Sequence, residues 1–270
     1  MIPKIIHYVW IGGSPLPSLA KKCLETWKTF CPDYEIKKWD ETNFNISSNQ
    51  YCREAYEAKK FAFVSDYIRL YALVSYGGVY LDTDVELLKP IDNFLVHQAF
   101  SGFENDKAIP TGIMACERGF PLFHNLLSEY ENRCFTSFNG EYNLTTNVSY
   151  ITNYCLKHGL VLNGSLQTVD GFTLYPKDVF CPRNFIDGKY DITKNTVAVH
   201  HFAGSWKQED KHKSTHERWD FYEKYGNDEY LVDMYKRLKD YEKRTVDNIH
   251  LKKLYKAVIN RTINKIFKRK

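Results

Sequence analysis

An α/β fold is predicted by three observations. Strand-like apolar runs alternate with helix-length segments through the first ninety residues. The 270 residues suffice for one large core and leave little room for a second enzyme. An apolar helix also turns through Gly77-Gly78 straight into a strand that carries Asp82-Thr83-Asp84.

In chain order, Lys4 to Trp10 reads as the first strand, Ser18 to Phe30 as a helix and Tyr34 to Trp39 as the second strand. A long helix follows from Tyr51 to Tyr76, then the strand bearing Asp82, which completes a Rossmann-like α/β half. Strands are expected near Ala99 to Glu104 and Gly112 to Cys116, and helices near Pro121 to Arg133 and Thr145 to His158. Short strands near Thr173 to Tyr175 and Thr196 to Phe202 close this part. There is no internal repeat and no low-complexity linker.

The long helix and the strand after it hold the chemistry. Phe63, Tyr67, Leu70 and Val74 recur at helical spacing and mark a core-facing stripe. Asp66 falls inside that stripe, with Arg69 one turn along and about 60° around the helix. An acid on an apolar face needs a partner: either Asp66 and Arg69 form an internal ion pair that orients the helix, or both hydrogen-bond the hydroxyls of a ligand. Gly77-Gly78 caps the helix. In the strand that follows, period 2 puts Asp82 and Asp84 on one face, about 6 to 7 Å apart. Two such acids at the end of an apolar strand require a cation or a shared proton, and oxygen ligands suit Mg²⁺ or Mn²⁺.

Aromatic residues are abundant, with 17 Phe, 20 Tyr and 5 Trp, which serves core packing and is compatible with a sugar-handling site. Seven cysteines, an odd number without a CxxC pair, argue against a disulfide framework or a zinc ribbon and for reduced, cytoplasmic thiols. The start of the chain lacks the pattern of a secretory signal, and no run of 18 apolar residues occurs. The net charge of +4 is uneven: 236–270 contribute 13 Lys or Arg against 3 Asp or Glu, so the rest of the chain is acidic. Within this tail Leu251, Leu254, Tyr255, Val258, Ile259, Ile263, Ile266 and Phe267 recur at helical spacing among basic residues. This amphipathic cationic helix either packs on the domain or docks on an anionic membrane surface, which extends the expected location to the inner face of the cytoplasmic membrane. No nucleic-acid motif accompanies the charge, so a nucleic-acid partner is not expected.

Phe61 to Glu86 resembles the sugar-donor module of a retaining, DXD-containing glycosyltransferase family. That family includes clostridial large-cytotoxin catalytic domains, Och-type mannosyltransferases and bacterial capsule and exopolysaccharide transferases. Ile5-Ile6-His7-Tyr8-Val9-Trp10-Ile11-Gly12-Gly13 resembles its first strand and nucleotide loop, and His200-His201-Phe202-Ala203-Gly204-Ser205-Trp206 its C-terminal motif. The resemblance implies a GT-A type, Rossmann-like nucleotide-sugar-binding catalytic domain over 1–207, with 208–270 as a basic helical extension. It implies that Val9 and Trp10 hold the base of a UDP-sugar, with Phe61 and Ser65 as further nucleoside contacts and Tyr80 beside the nucleotide. Asp66 and Arg69 grip the donor sugar, Asp82 contacts ribose and metal region, and Asp84 is the principal ligand of Mn²⁺ or Mg²⁺.

Period 2 puts His200 and His201 on opposite faces, and the spacing of His201 before Trp206 matches the family's last metal ligand, so His201 is the expected third ligand. Trp206 is expected to donate its indole N–H to the leaving phosphate, with Ser205 and Lys207 as further phosphate contacts. Thr111 stands where relatives place Asn, and the resemblance leads one to expect Leu144 to Asn147 on the acceptor side. The implied activity is retaining transfer of a hexose from a UDP-sugar to a lipid-linked glycan in capsule, exopolysaccharide or lipopolysaccharide synthesis. The alternatives are a toxin-like transferase acting on a host protein and a non-catalytic glycan-binding or assembly module.

Overall fold

The computed structural model describes residues 1–105, 108–184 and 189–204. The amphipathic segment 251–267 and Ser205, Trp206 and Lys207 therefore lie outside the described residues.

The alternation expected from sequence is present as β1 (Ile5–Val9), α1 (Ser18–Phe30), β2 (Glu35–Trp39), α2 (Gln50–Glu57), α3 (Phe61–Tyr76), β3 (Gly78–Leu81) and β4 (Val85–Leu87). There follow β5 (Ala99–Gly102), β6 (Ile113–Cys116), α4 (Pro121–Glu129), α5 (Asn147–Lys157), β7 (Gln167–Val169), β8 (Phe172–Tyr175), α6 (Lys177–Phe180) and β9 (Ala198–His200). Seven strands form a mixed sheet in the order β2-β1-β3-β6-β5-β8-β7, and β4 and β9 form a separate antiparallel pair. β1 runs parallel to both β2 and β3, whereas β6 is antiparallel to β3 and β5. The architecture is α/β, as the sequence pattern predicts.

Strand alternation divides the core between the two faces of the sheet. Ile6, Tyr8, Val79, Leu81, Phe100, Ile113 and Ala115 pack into one apolar cluster with Trp27 of α1 and Phe180 of α6. Val9, Tyr80, Ala99, Met114 and Cys116 pack into the other, with α2, α3 and α4. All seven cysteines stand free. Among the described residues, no helix is long and apolar enough to cross a membrane.

Two expectations need correction. The long helix from Tyr51 is two helices, because Lys59 adopts the left-handed conformation (φ +55°). The Lys60 N–H then donates to Ala55 O at 2.8 Å and the Lys59 N–H to Tyr56 O at 2.9 Å. These are the paired bonds of a Schellman ending, built here on lysine in place of the glycine that would have announced it. The second correction concerns Asp82 and Asp84, which do not extend a strand. β3 stops at Leu81, and the Val85 N–H donates to Asp82 O at 2.9 Å, closing a turn over Asp82–Val85.

The Gly77-Gly78 junction is sterically required. Gly77 has φ +68°, and a Cβ there would lie 2.7 Å from the Arg118 backbone nitrogen; a Cβ on Gly78 would lie 2.6 Å from Ile5 O. The helix C-terminus is thereby pressed onto the sheet, and Asp82 emerges at the C-terminal end of β3, beside the C-terminal end of the parallel β1. The crevice outside such strand ends is where open α/β sheets bind ligands.

Candidate active site at the ends of β1 and β3

Arg69 is the hub of the site. Its Nη1 donates to Thr111 O at 2.6 Å, its Nη2 reaches Asp82 Oδ1 at 3.3 Å and Asp66 Oδ1 at 3.5 Å, and its guanidinium lies 4.6 Å from the centre of the Tyr80 ring. The Tyr80 hydroxyl donates to Asp82 Oδ1 at 2.9 Å. Asp66, on the apolar face of α3 as its position predicts, is buried, and burial pushes its carboxyl above the ordinary value although Arg69 and the Asn147 N–H pull it down. Its Oδ2 accepts from the Asn147 N–H at 3.1 Å, and the Asn147 side chain donates back to Asp66 O at 2.6 Å. Tyr130 donates its hydroxyl to Asn147 Oδ1 at 2.7 Å, so Asn147 is consumed in holding the start of α5 against Asp66. Thr111, at the position where relatives place Asn, offers Arg69 its backbone carbonyl as acceptor.

The second cluster is Asp82, Asp84 and His200, each offering one ligand atom within 4.8 Å of the others. His200 Nε2 is 3.3 Å from Asp84 Oδ1 and 3.8 Å from Asp82 Oδ2. The turn brings the two carboxylates together, as a strand would have done, but the histidine beside them is His200 and not His201. The two histidines do face opposite ways, and the pairing of β4 with β9 decides which of them meets the carboxylates. Val85 faces His200 and Glu86 faces Val199, so His201 turns with Glu86 to the other side, where His201 Nε2 and Glu86 Oε2 are 2.8 Å apart.

Burial opposes ionisation of Asp84, but His200 and the Ala203 N–H outweigh it and hold its carboxyl at about 2. Burial likewise opposes charge on His200, yet Asp84 first and Asp82 after it leave the imidazole above its ordinary value. The packing supports this arrangement: a Cβ on Gly112 would lie 2.6 Å from His200 Cε1 and 3.2 Å from Asp82 Oδ2, so only glycine lets the ring and the carboxylate come together there. Two carboxylate oxygens and an imidazole nitrogen are a donor set that fits Mn²⁺ or Mg²⁺. Glu104, which the sequence reading passed over, lies just beyond β5 in the same electrostatic neighbourhood. Burial pushes its carboxyl up, His200 pulls it down and Asp82 pushes it up again.

The loop that follows β1 is folded tightly against its neighbours. Val9 is buried, and the Trp10 indole N–H donates to Ser14 O at 2.6 Å, which folds the loop back on the ring. Phe61, at the start of α3, stands against Gly12, where a Cβ would meet its ring at 2.5 Å. Glu41 pins the same loop by accepting from the Gly12 N–H at 2.7 Å and the Tyr56 hydroxyl at 3.2 Å. Ser65 is half-buried one turn above Phe61, and its carbonyl accepts from Arg69 Nε at 3.4 Å. Phe61 thus meets the loop after β1 at Gly12, while Tyr80 and Arg69 both reach Asp82, which also lies beside Asp84 and His200.

Residues 17–101 match the family described as "Glycosyltransferase sugar-binding region containing DXD motif". Inositol phosphoceramide mannosyltransferase 3 of Schizosaccharomyces pombe is 28% identical over 133 residues, which cover 45% of this chain and 35% of that protein. A glycosyltransferase of Acanthamoeba polyphaga mimivirus is 33% identical over 101 residues, covering 35% of this chain and 40% of its own length. The chain therefore spans well under half the length of these relatives. Among solved structures, PaToxG glycosyltransferase is similar over 58% of this chain and 68% of its own, at 18% identity and a TM-score of 0.45. Residues 17–101, the stretch that matches this family, hold Asp66, Arg69 and the Asp82-Thr83-Asp84 turn.

Proposed function

We propose that the chain is a cation-dependent retaining glycosyltransferase that moves a hexose from a UDP-sugar to a lipid-linked glycan of a bacterial surface polysaccharide. The observation that carries the reading is the continuity of the site through Asp82: one oxygen belongs to the Arg69–Asp66 pair and the other to the cluster with Asp84 and His200. A divalent cation held by Asp82, Asp84 and His200 would supply charge stabilisation for a departing diphosphate. Asp66 and Arg69 orient the sugar hydroxyls beside that point. Val9, Trp10, Phe61 and Ser65 bound the nucleoside, and Trp206, Ser205 and Lys207 complete the phosphate side. Asp66 is held by the Asn147 N–H and by Arg69, which suits it to orienting the sugar and not to forming a glycosyl-enzyme. Retention then follows from attack of the acceptor on the face the diphosphate leaves. The basic extension 208–270 provides attachment to an anionic membrane.

A second reading is favoured by the relatives' names: mannose as the sugar and an inositol-phosphate lipid as the acceptor. Both are tested by incubating the purified full chain and Mn²⁺ with UDP- and GDP-hexoses and scoring nucleoside diphosphate release with and without lipid acceptors. Release from a UDP-hexose supports the first reading, and release from GDP-mannose alone replaces it with the second. A chain that binds and cleaves none of these donors is not this enzyme.

A further inference from the structure

His201 has a different task from His200, and the contacts around it define that task. Both ring nitrogens are occupied: Nε2 lies 2.8 Å from Glu86 Oε2, and Nδ1 lies 3.2 Å from the Tyr190 hydroxyl. An ionised carboxylate only accepts, so Nε2 carries a hydrogen and donates to Glu86. The Tyr190 ring meets the imidazole edge-on, with centroids 5.6 Å apart. The backbone of the same residue is held as firmly. Its N–H donates to Asp84 O at 3.0 Å, and its carbonyl accepts from Arg183 Nη1 at 3.2 Å.

Immediately after this fixed point the chain makes a hook. Phe202 sits at φ +53°, a left-handed conformation that costs a non-glycine residue about 1–2 kcal/mol and persists only where its surroundings enforce it. Gly204 follows at φ +64°. The hook delivers the Ala203 N–H to Asp84 Oδ2 at 2.7 Å, which leaves Asp84 Oδ1 to face His200. It also lays the Phe202 ring on the His200 ring, with centroids 3.9 Å apart and planes 27° from parallel. One strained turn therefore sets both which oxygen of Asp84 is offered and which way His200 points.

We propose that Glu86, His201 and Tyr190 are positioning residues that anchor the 200–204 hook, and through it tune the affinity of the Asp82–Asp84–His200 cluster for a divalent cation. The inference rests on the cation reading of that cluster. Glu86 and His201 are partly exposed, and a pair in that setting contributes little to global stability, so its consequence lies in the turn it holds. Partners behind metal ligands are known to alter affinity by about 10–100-fold.

The test uses the full chain with Tyr190→Phe, which removes a single hydroxyl, and Glu86→Gln. Mn²⁺ affinity is read from the paramagnetic resonance signal of the free ion, and hydrogen exchange of the Ala203 amide is followed without metal. The expected result is a Kd raised roughly tenfold and Ala203 exchange accelerated roughly tenfold, with the melting temperature little changed. Native affinity within twofold together with native Ala203 exchange in both variants would overturn the proposal. If the native chain binds no Mn²⁺, the cation reading fails separately, and Ala203 exchange alone decides whether the anchor holds the hook.

Discussion

Removing Arg69 should destabilise the protein more than removing Asp66. Arg69 and Asp66 expose only 6% and 8% of their side chains, so neither charge is left to water. Arg69→Met deletes the cation shared by Asp66 and Asp82 and also the donor to Thr111 O. Breaking a buried pair by removing one partner costs about 3–5 kcal/mol, because the other charge stays behind unpaired. Asp66→Asn is milder: the amide oxygen still accepts from the Asn147 N–H, and Arg69 keeps Asp82 and Thr111. A loss of about 1.5–3 kcal/mol is expected there, the range for a hydrogen bond to a charged group.

The double variant is the decisive member of the series. Once Asp66 is neutral, Arg69→Met no longer strands it, so the combined loss should fall short of the sum by at least 1 kcal/mol, within the range measured for contacting residues. Urea unfolding followed by tryptophan fluorescence reads this directly. At a slope of about 3 kcal/mol/M, a 4 kcal/mol loss moves the midpoint down by about 1.3 M. If Arg69→Met costs under 1 kcal/mol, or if the two substitutions simply add, the buried pair is not the hub of the site.

Asp84→Asn should lower donor cleavage by about 10²-fold or more, because it removes charge where a cation would be held; unchanged cleavage in a steady-state assay contradicts the metal role. Gly112→Ala places a methyl group in the space of the His200 ring and should weaken Mn²⁺ binding about tenfold while leaving the protein folded, as titration calorimetry with circular dichroism would show. His7 is fully buried, with Nδ1 accepting from Trp39 Nε1 at 3.2 Å and Nε2 donating to Gly77 O at 2.8 Å, and burial holds its pKa down at about 4 against 6.5 for the free side chain. Between those values the unfolded chain binds a proton that the folded chain does not. Stability from this residue is therefore full above pH 6.5 and falls as the pH drops to 4, by about 3 kcal/mol at roughly 1.4 kcal/mol per pH unit. Imidazole carbon shifts report the titration by NMR, and a His7 that titrates near 6.5 would rule this out.

Much of the site was legible because its residues break local rules. An acid and an arginine on the apolar face of α3 demand partners, and paired glycines between helix and strand demand a close approach; both features are visible without coordinates. The bounds of α1, Ser18–Phe30, follow from hydrophobic spacing alone. The break between α2 and α3 was hidden because lysine, not glycine, takes the left-handed position, and tertiary packing on either side enforces it. Asn147 was visible only as a polar residue near a helix start. Its bond to Asp66 joins positions 81 residues apart, and no local pattern encodes that distance.

The two histidines show where local pattern ends. Their opposite faces follow from strand period, but which face holds the carboxylates depends on a partner strand more than a hundred residues upstream. β4 supplies that partner, and the turn before it disturbs its own parity: Asp84 and Glu86 would share a face on a regular strand, yet here they serve different histidines. Asp84 receives the Ala203 N–H and faces His200, while Glu86 takes His201. The turn at Asp82–Val85 is thus what allows two adjacent imidazoles to be used separately, one at the cation cluster and one on the anchor that shapes it.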